Sequence, residues 1–225
     1  MAISIKRTSA LTAGGVKILC YGQAGAGKTT LIRTLPAPIT LSAEGGLLAL
    51  QGADLPFVEI ASMADLHEAY SWLVSSDEAR QYESIAIDSI SEIAEVCLIA
   101  EKRVAKDPRQ AYGAMIDQMS EVVRAFRDLP RHVYVSAKLD KSADELGKVA
   151  YAPSMPGAKL GQALPYFFDE VLALRVEKNE AAGEPVRGLQ TQGDGIWTAK
   201  DRSGRLDAWE APDVGAVIAK IGGSR

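Results

Sequence analysis

The first patterned segment is a short apolar run, Val16 to Tyr21 (VKILCY), that ends at Gly22. Lys28 to Leu35 then has helical character until Pro36 stops it. Ile39 to Ser42 and Phe57 to Ile60 read as two further strands, and Met63 to Ser75 has the spacing of an amphipathic helix. Ser84 to Asp88 (SIAID) is the pattern of a strand buried on both faces. Two helical stretches follow, Ile90 to Val104 and Ala111 to Leu129, separated by the polar break AKDPRQ, whose Pro108 cannot sit inside a helix. Val133 to Ala137 returns to strand. Lys138 to Ala163 has no clear period and is punctuated by Gly147, Pro153, Pro156, Gly157 and Gly161. Glu170 to Val176 and Gly188 to Gln192 are predicted strands with an Ala-Ala-Gly-Glu turn between them, and Gly195 to Ala199 is another. Pro212 opens a last helix that lines up Val214, Val217, Ile218 and Ile221 on one face.

Strands alternating with helices predict a mostly parallel sheet covered on both faces, and the later strands without helices predict an antiparallel extension at one edge. The fold class expected is α/β, with one domain over residues 16–225 and an N-terminal arm over residues 1–15. Within that arm Ala2 to Leu11 alternates Ile3 and Ile5, which suits either a strand added to a neighbour or a frayed end. A composition of 47% hydrophobic and 24% charged residues lets a chain of 225 residues bury a core without metal or disulfide staples. Cys20 and Cys97 sit among apolar neighbours and are expected to be buried free thiols. No secretory leader and no long apolar run is present, so a cytoplasmic location and no membrane contact are expected. The formal net charge of −4 gives no general attraction to nucleic acid, so any such contact must come from a local basic patch.

The chemistry concentrates at Gly22-Gln23-Ala24-Gly25-Ala26-Gly27-Lys28-Thr29, a complete G-x-x-x-x-G-K-[ST] placed between a strand and a helix. Glycines let the backbone curl so that its N–H groups face phosphate oxygens, and the helix start adds partial positive charge. Lys28 is expected to reach the β- and γ-phosphates, Thr29 to bind Mg²⁺, and Thr30 to close the loop. The chain is therefore read as a P-loop NTPase whose cofactors are ATP and Mg²⁺. Asp88, at the C-terminal end of a buried strand, is the expected second metal-orienting carboxylate. Glu44, in LSAEGG, stands where a carboxylate orients attacking water, or else is a solvated loop residue. Guanine specificity is disfavoured: Ala137-Lys138-Leu139-Asp140 lacks the asparagine of N-K-x-D, and Ser-Ile-Ser after Asp88 lacks a switch glycine. A small-molecule kinase and an ATP-binding accessory protein with little turnover stay open on the residues alone.

The succession YGQAGAGKTTLIRTLP, ITLSAEGGL, YESIAIDSISEI, AYGAM, HVYVSAK, FFDEVLAL and TAKDRSGRLD resembles phage-encoded ATP-binding proteins with a RecA-like core, some of which are single-strand annealing proteins (the Sak group). The likeness runs from about Val16 to the C-terminus. It implies a DNA-stimulated ATPase that serves recombination by annealing or strand pairing. Glu44 then corresponds to the catalytic glutamate, and Lys200 and Arg202 fall where residues reach across a subunit interface to the neighbour's γ-phosphate. The resemblance further implies single-stranded DNA, a homo-oligomer (ring or filament) and a single-strand binding protein as partners, and the host cytoplasm for a phage-encoded protein. It places one DNA-binding loop at Ala105 to Tyr112, with Arg103, Lys106, Arg109 and Tyr112, and a second at Lys138 to Ala163, with Lys138, Lys141, Lys148 and Lys159. Ordinary solvated loop charge is the plainer reading of these cations, since Asp107, Asp140, Asp144 and Glu145 interrupt them. Two departures stand out: Ser136-Ala137-Lys138 carries no amide side chain, and Gln51 stands where an aromatic would cover adenine.

Overall fold

The computed structural model describes residues 14–178 and 185–222. The N-terminal arm apart from Gly14 and Gly15, and the Ala-Ala-Gly-Glu turn, lie outside the described residues. Five apolar segments form the parallel heart of the sheet: β1 (Lys17–Gly22), β2 (Pro38–Ser42), β3 (Phe57–Glu59), β4 (Ser84–Asp88) and the first half of β5 (His132–Ala143). With β7 (Glu170–Lys178) they run β7-β1-β5-β4-β2-β3, all parallel. Beyond β7 the antiparallel strands β8 (Pro185–Gln190) and β10 (Trp209–Glu210) extend the edge, as the helix-free strand run predicts. The short β9 (Lys200–Asp201) pairs antiparallel with β7 at a second place. The α/β class, the parallel core and the antiparallel extension are therefore as expected.

Each face of the sheet is sealed because its strands are apolar on both sides. One face packs α1 (Met63–Ser75), α2 (Ile90–Val104) and α3 (Pro108–Arg127) over Leu19, Leu41, Ile85, Ile87 and Val135, all almost fully buried. The other face packs the phosphate-loop helix and α5 (Val214–Gly222) over Ile18, Cys20, Tyr134 and Leu172. Val214, Val217 and Ile218 are the buried stripe of α5, as its spacing predicts. Both cysteines are free and buried, and burial pushes Cys20 up to about 12 and Cys97 to about 11, so neither is ionised near neutral pH. Among the described residues, no helix is long and apolar enough to cross a membrane.

Several elements differ from the sequence reading, each for a local reason. Thr29–Thr34 is a 3-10 helix, not an α-helix. Its six residues include the β-branched Thr29, Thr30, Ile32 and Thr34 and run into Pro36, a poor setting for regular α turns. Pro108 does not end the polar break but starts α3, where a missing N–H costs nothing, and Asp107 caps the helix by accepting from the Arg109 N–H at 2.8 Å. The segment without period contains the second half of β5, its antiparallel partner β6 (Val149–Pro153) and α4 (Ala158–Ala163). This hairpin hides its strand character because residues 140–148 are exposed on both faces. Gly195–Ala199 is not a strand. Asp194 Oδ1 accepts the N–H groups of Ile196 and Trp197 and curls the chain, leaving a single bridge between Trp197 and Tyr151. Short 3-10 turns at Leu47–Ala53, Glu78–Gln81 and Leu164–Phe167 have no sequence signal we identified.

Lower on the sheet, β9 is tied to β7 by a carboxyl pair. Glu170 is fully buried, and burial, with the Asp201 charge and hydrogen bond next, pushes its pKa up to about 8. Burial also acts on Asp201, yet hydrogen bonds from the Ser203 hydroxyl, the Leu206 N–H, the Glu170 carboxyl and the Gly204 N–H outweigh it and hold Asp201 low. Glu170 is thus the carboxyl of the two that keeps its proton near neutral pH, while Asp201 is the one held ionised. Because the folded pKa of Glu170 lies above its ordinary value of 4.5, its contribution to stability is complete below that value and is lost as pH rises through about 8. We expect Tm to fall by about 5 °C more between pH 5 and pH 9 in the wild type than in Glu170→Gln, whose amide replaces the proton. Equal slopes in a thermal melt series would show that the pair carries no such proton.

Candidate nucleotide-binding site

The phosphate loop leaves β1 at the C-terminal edge of the parallel strands, the side on which such sheets bind ligands. A Cβ on Gly22 would lie 2.6 Å from the Leu174 carbonyl oxygen, so only glycine lets β1 and β7 close up beneath the loop. Gly25 and Gly27 take φ of 74° and 108°, backbone that L side chains rarely adopt, and this produces the curl. Gln23, Ala24 and Gly25 form an exposed crown, whereas Ala26 is buried. The Lys28 ammonium donates to the Gly22 and Gln23 carbonyls at 2.9 and 3.0 Å, lying across the mouth of the loop. Burial draws its pKa down, while Cys20, Asp88 and Glu44 pull it back up. The Lys28 carbonyl in turn accepts from the buried Tyr134 hydroxyl at 2.9 Å. Thr30 is half-buried in the first turn of the 3-10 helix.

Thr29 and Asp88, the residues expected to orient a metal, lie in contact. The Thr29 hydroxyl donates to Asp88 Oδ2 at 2.7 Å, although 59 positions separate them. Asp88 is 2% exposed, and its other oxygen accepts from the buried Ser136 hydroxyl. β5 lies between β1 and β4 and brings Ser136 there, opposite Cys20. A buried carboxylate beside a hydroxyl at the phosphate loop is a hard oxygen donor set, and it fits Mg²⁺. The place where an amide side chain is absent thus holds a hydroxyl that orients Asp88.

Glu44 lies next door. Ser42 pairs with Asp88 in register, the Ala43 N–H donates to the Asp88 carbonyl at 2.8 Å, and the exposed Glu44 accepts from the Ser89 hydroxyl. Ser89 follows Asp88 through a cis peptide and caps α2, accepting from the Glu92 N–H. Glu92 pairs with Lys138 at 2.6 Å. Asp88 and Glu44 both act electrostatically on Lys28, and Ser89 holds Glu44, an arrangement that suits phosphoryl transfer to water.

Lys200 and Arg202 are elsewhere, on and beside β9. Lys200 donates to the Pro165 and Phe168 carbonyls at 2.7 and 2.5 Å, and burial, with Arg202 nearby, lowers its pKa. Arg202 pairs with Asp169 at 2.9 Å and donates to the Tyr166 carbonyl. Lys200 borders a groove of about 1030 Å³ between the β5–β6 hairpin and α4, with Lys159, Met155 and the exposed Tyr166. Of the cations expected to meet DNA, Arg103, Lys106, Arg109, Lys141, Lys148 and Lys159 are exposed, and Lys138 is committed to Glu92. Tyr112 carries the Lys102 ammonium 5.3 Å from its ring centre and lies 3.6 Å from the place a Cβ on Gly157 would take. The two segments assigned to DNA therefore meet at Tyr112 and Gly157.

Sequence reasoning misses Ser136 as the partner of Asp88 and Tyr134 as a support of the loop, since neither belongs to a spacing motif. It also misses Arg187, whose Nε donates to the Ala26 carbonyl at 3.0 Å. Trp72 lies against the core, and Arg175 sits 4.9 Å from the rings of both Trp197 and Trp209.

Comparison with known proteins agrees with the loop. The family AAA_24, described as an AAA domain, matches residues 14–203. A solved KaiC-like protein from the hyperthermophilic archaeon Pyrococcus horikoshii OT3 is 14% identical, with a TM-score of 0.43 over 79% of this chain and 77% of that one. No curated protein matches the chain.

Proposed function

The chain belongs to the AAA domain family of P-loop NTPases, and from that premise we propose that it is an ATP-dependent recombination protein of RecA type that binds single-stranded DNA and promotes annealing or strand pairing as a homo-oligomer. Binding of ATP rests on the loop from Gly22 to Thr29, with Thr29 and Asp88 holding Mg²⁺. A metal held by Thr29 and Asp88 would supply positive charge to offset that of the phosphates. Glu44 orients or deprotonates the attacking water, its carboxylate aimed by Ser89.

One observation supports the DNA half most. β5 aligns Lys138 with Gly22 and then continues past the phosphate loop into the exposed hairpin that carries Lys141 and Lys148. The hairpin carries Asp140, Asp144 and Glu145 besides its two lysines, so a strand-backbone contact here rests on exposed Lys141 and Lys148 individually, at the rim of the nucleotide site, and weakens with salt. Lys200 and Arg202 are assigned to the γ-phosphate of the adjacent subunit, which requires Lys200 to leave its carbonyl partners when subunits assemble.

The test is ATP turnover with and without single-stranded DNA, with mass from light scattering on the same sample. Stimulation together with an assembled mass is the expected result. Lys200→Ala should keep nucleotide binding and lower turnover by at least about tenfold. A monomer whose turnover ignores DNA would instead favour phosphoryl transfer to a small acceptor, and a Lys200→Ala protein with undiminished turnover removes the interface role.

A further inference from the structure

The phosphate loop is held from outside by a residue that no motif contains. Arg187 lies on β8, which pairs with β7 and not with β1, so its side chain reaches across β7 to the loop. Its Nε donates to the Ala26 carbonyl at 3.0 Å. Its Nε and Cδ are also the atoms nearest to the Cβ position of Gly27, at 3.9 and 4.0 Å. We propose that Arg187 is a positioning residue that fixes the Ala26–Gly27 peptide in the orientation that receives phosphate, an inference that rests on nucleotide binding at this loop.

In a trans peptide the C=O of one residue and the N–H of the next point in opposite directions. Holding the Ala26 carbonyl against Arg187 therefore turns the Gly27 N–H away from β8, toward the inside of the loop. Among the described residues, Arg187 is the donor to the Ala26 carbonyl. The peptide lies between Ala26 and Gly27, and Gly27, with φ of 108°, is a residue that adopts positive and negative φ with similar ease. The Ala26 N–H is already committed to the Gln23 carbonyl at 3.2 Å, so it takes no part in holding the next peptide. The neighbouring carbonyls have their own tethers: Gly22 and Gln23 on Lys28, Gly27 on the Leu31 N–H, and Lys28 on Tyr134. Arg187 is the tether for Ala26. A cation there also suits a hydrogen bond to a carbonyl, which it strengthens by charge.

An orienting role differs from a direct phosphate contact in what it predicts. A correctly turned Gly27 N–H serves the bound phosphates in ground state and transition state alike, so its loss weakens binding without slowing the chemical step. Arg187→Ala, followed by fluorescence anisotropy of mant-ADP and mant-ATP with Mg²⁺, should bind both about tenfold more weakly, with KM for ATP raised and kcat within about twofold of wild type. Arg187→Lys, which can donate to the same carbonyl, should recover most of the affinity. Thermal melts of both variants should match the wild type, since the side chain is exposed.

Loss of mant-ATP binding alone, with kcat reduced, would mean that Arg187 meets the γ-phosphate and would overturn the positioning role. Unchanged affinity in Arg187→Ala, or no rescue by lysine, overturns it as well. A wild-type protein that binds neither nucleotide sinks the nucleotide reading and this inference with it, an outcome distinct from a binding wild type and an indifferent variant.

Discussion

Lys28→Ala is expected to lower affinity for Mg-ATP by about a hundredfold or more and to leave no measurable turnover. The ammonium is the one formal cation placed at the mouth of the loop by the motif, and alanine can neither neutralise a γ-phosphate nor hold the Gly22 and Gln23 carbonyls. Removing it also leaves Asp88 and Glu44 without the opposite charge that the residue supplies. Triphosphate then enters a site of net negative character. The fold should survive, because the strands beneath are sealed by Ile18, Leu19 and Cys20, whose burial does not involve Lys28. Isothermal calorimetry on a variant shown by circular dichroism to be folded is the measurement, and near-wild-type affinity would remove the loop as the phosphate site.

Glu44→Gln should do the reverse, preserving binding while lowering kcat by about a hundredfold to a thousandfold. Glutamine keeps the size of the side chain and can still accept the Ser89 hydroxyl through its amide oxygen, so the geometry next to Asp88 persists. What disappears is the carboxylate's ability to take a proton from water. Single-turnover kinetics with labelled ATP separate the two effects. A variant with wild-type kcat would assign Glu44 to the solvated loop and leave the water to another group. Ser89→Ala gives a graded version, since it frees the carboxylate from its holder without changing its charge.

Some of this site is legible in the sequence and some is not, and the division is physical. Phosphate binding needs successive backbone N–H groups, so its signal is compressed into adjacent residues from Gly22 to Thr29. Asp88 is legible because a buried parallel strand is apolar throughout and a terminal carboxylate interrupts it. Ser136 is invisible for the opposite reason. Its partner is 48 positions away, and only the placing of β5 between β1 and β4 brings the two together. Arg187 is further removed still, since its contact with Ala26 spans 161 positions and crosses an intervening strand. The hairpin of β5 and β6 escapes notice because strand periodicity is a record of one-sided burial, and this ribbon has water on both sides. Pro108 misleads for a related reason: proline stops a helix from within but starts one from its first position, and the residue alone does not say which.

The strand β5 unites in one stretch of backbone two things that the sequence keeps apart. Ser136, which grips Asp88, and Leu139, the first residue paired in the hairpin, are three residues from one another. An extended strand has no hinge over that distance, about 10 Å at the usual rise per residue. Whatever grips the hairpin is thereby pulling on the same rod that steadies the Asp88 carboxylate, and a tug at one end has no slack in which to be lost.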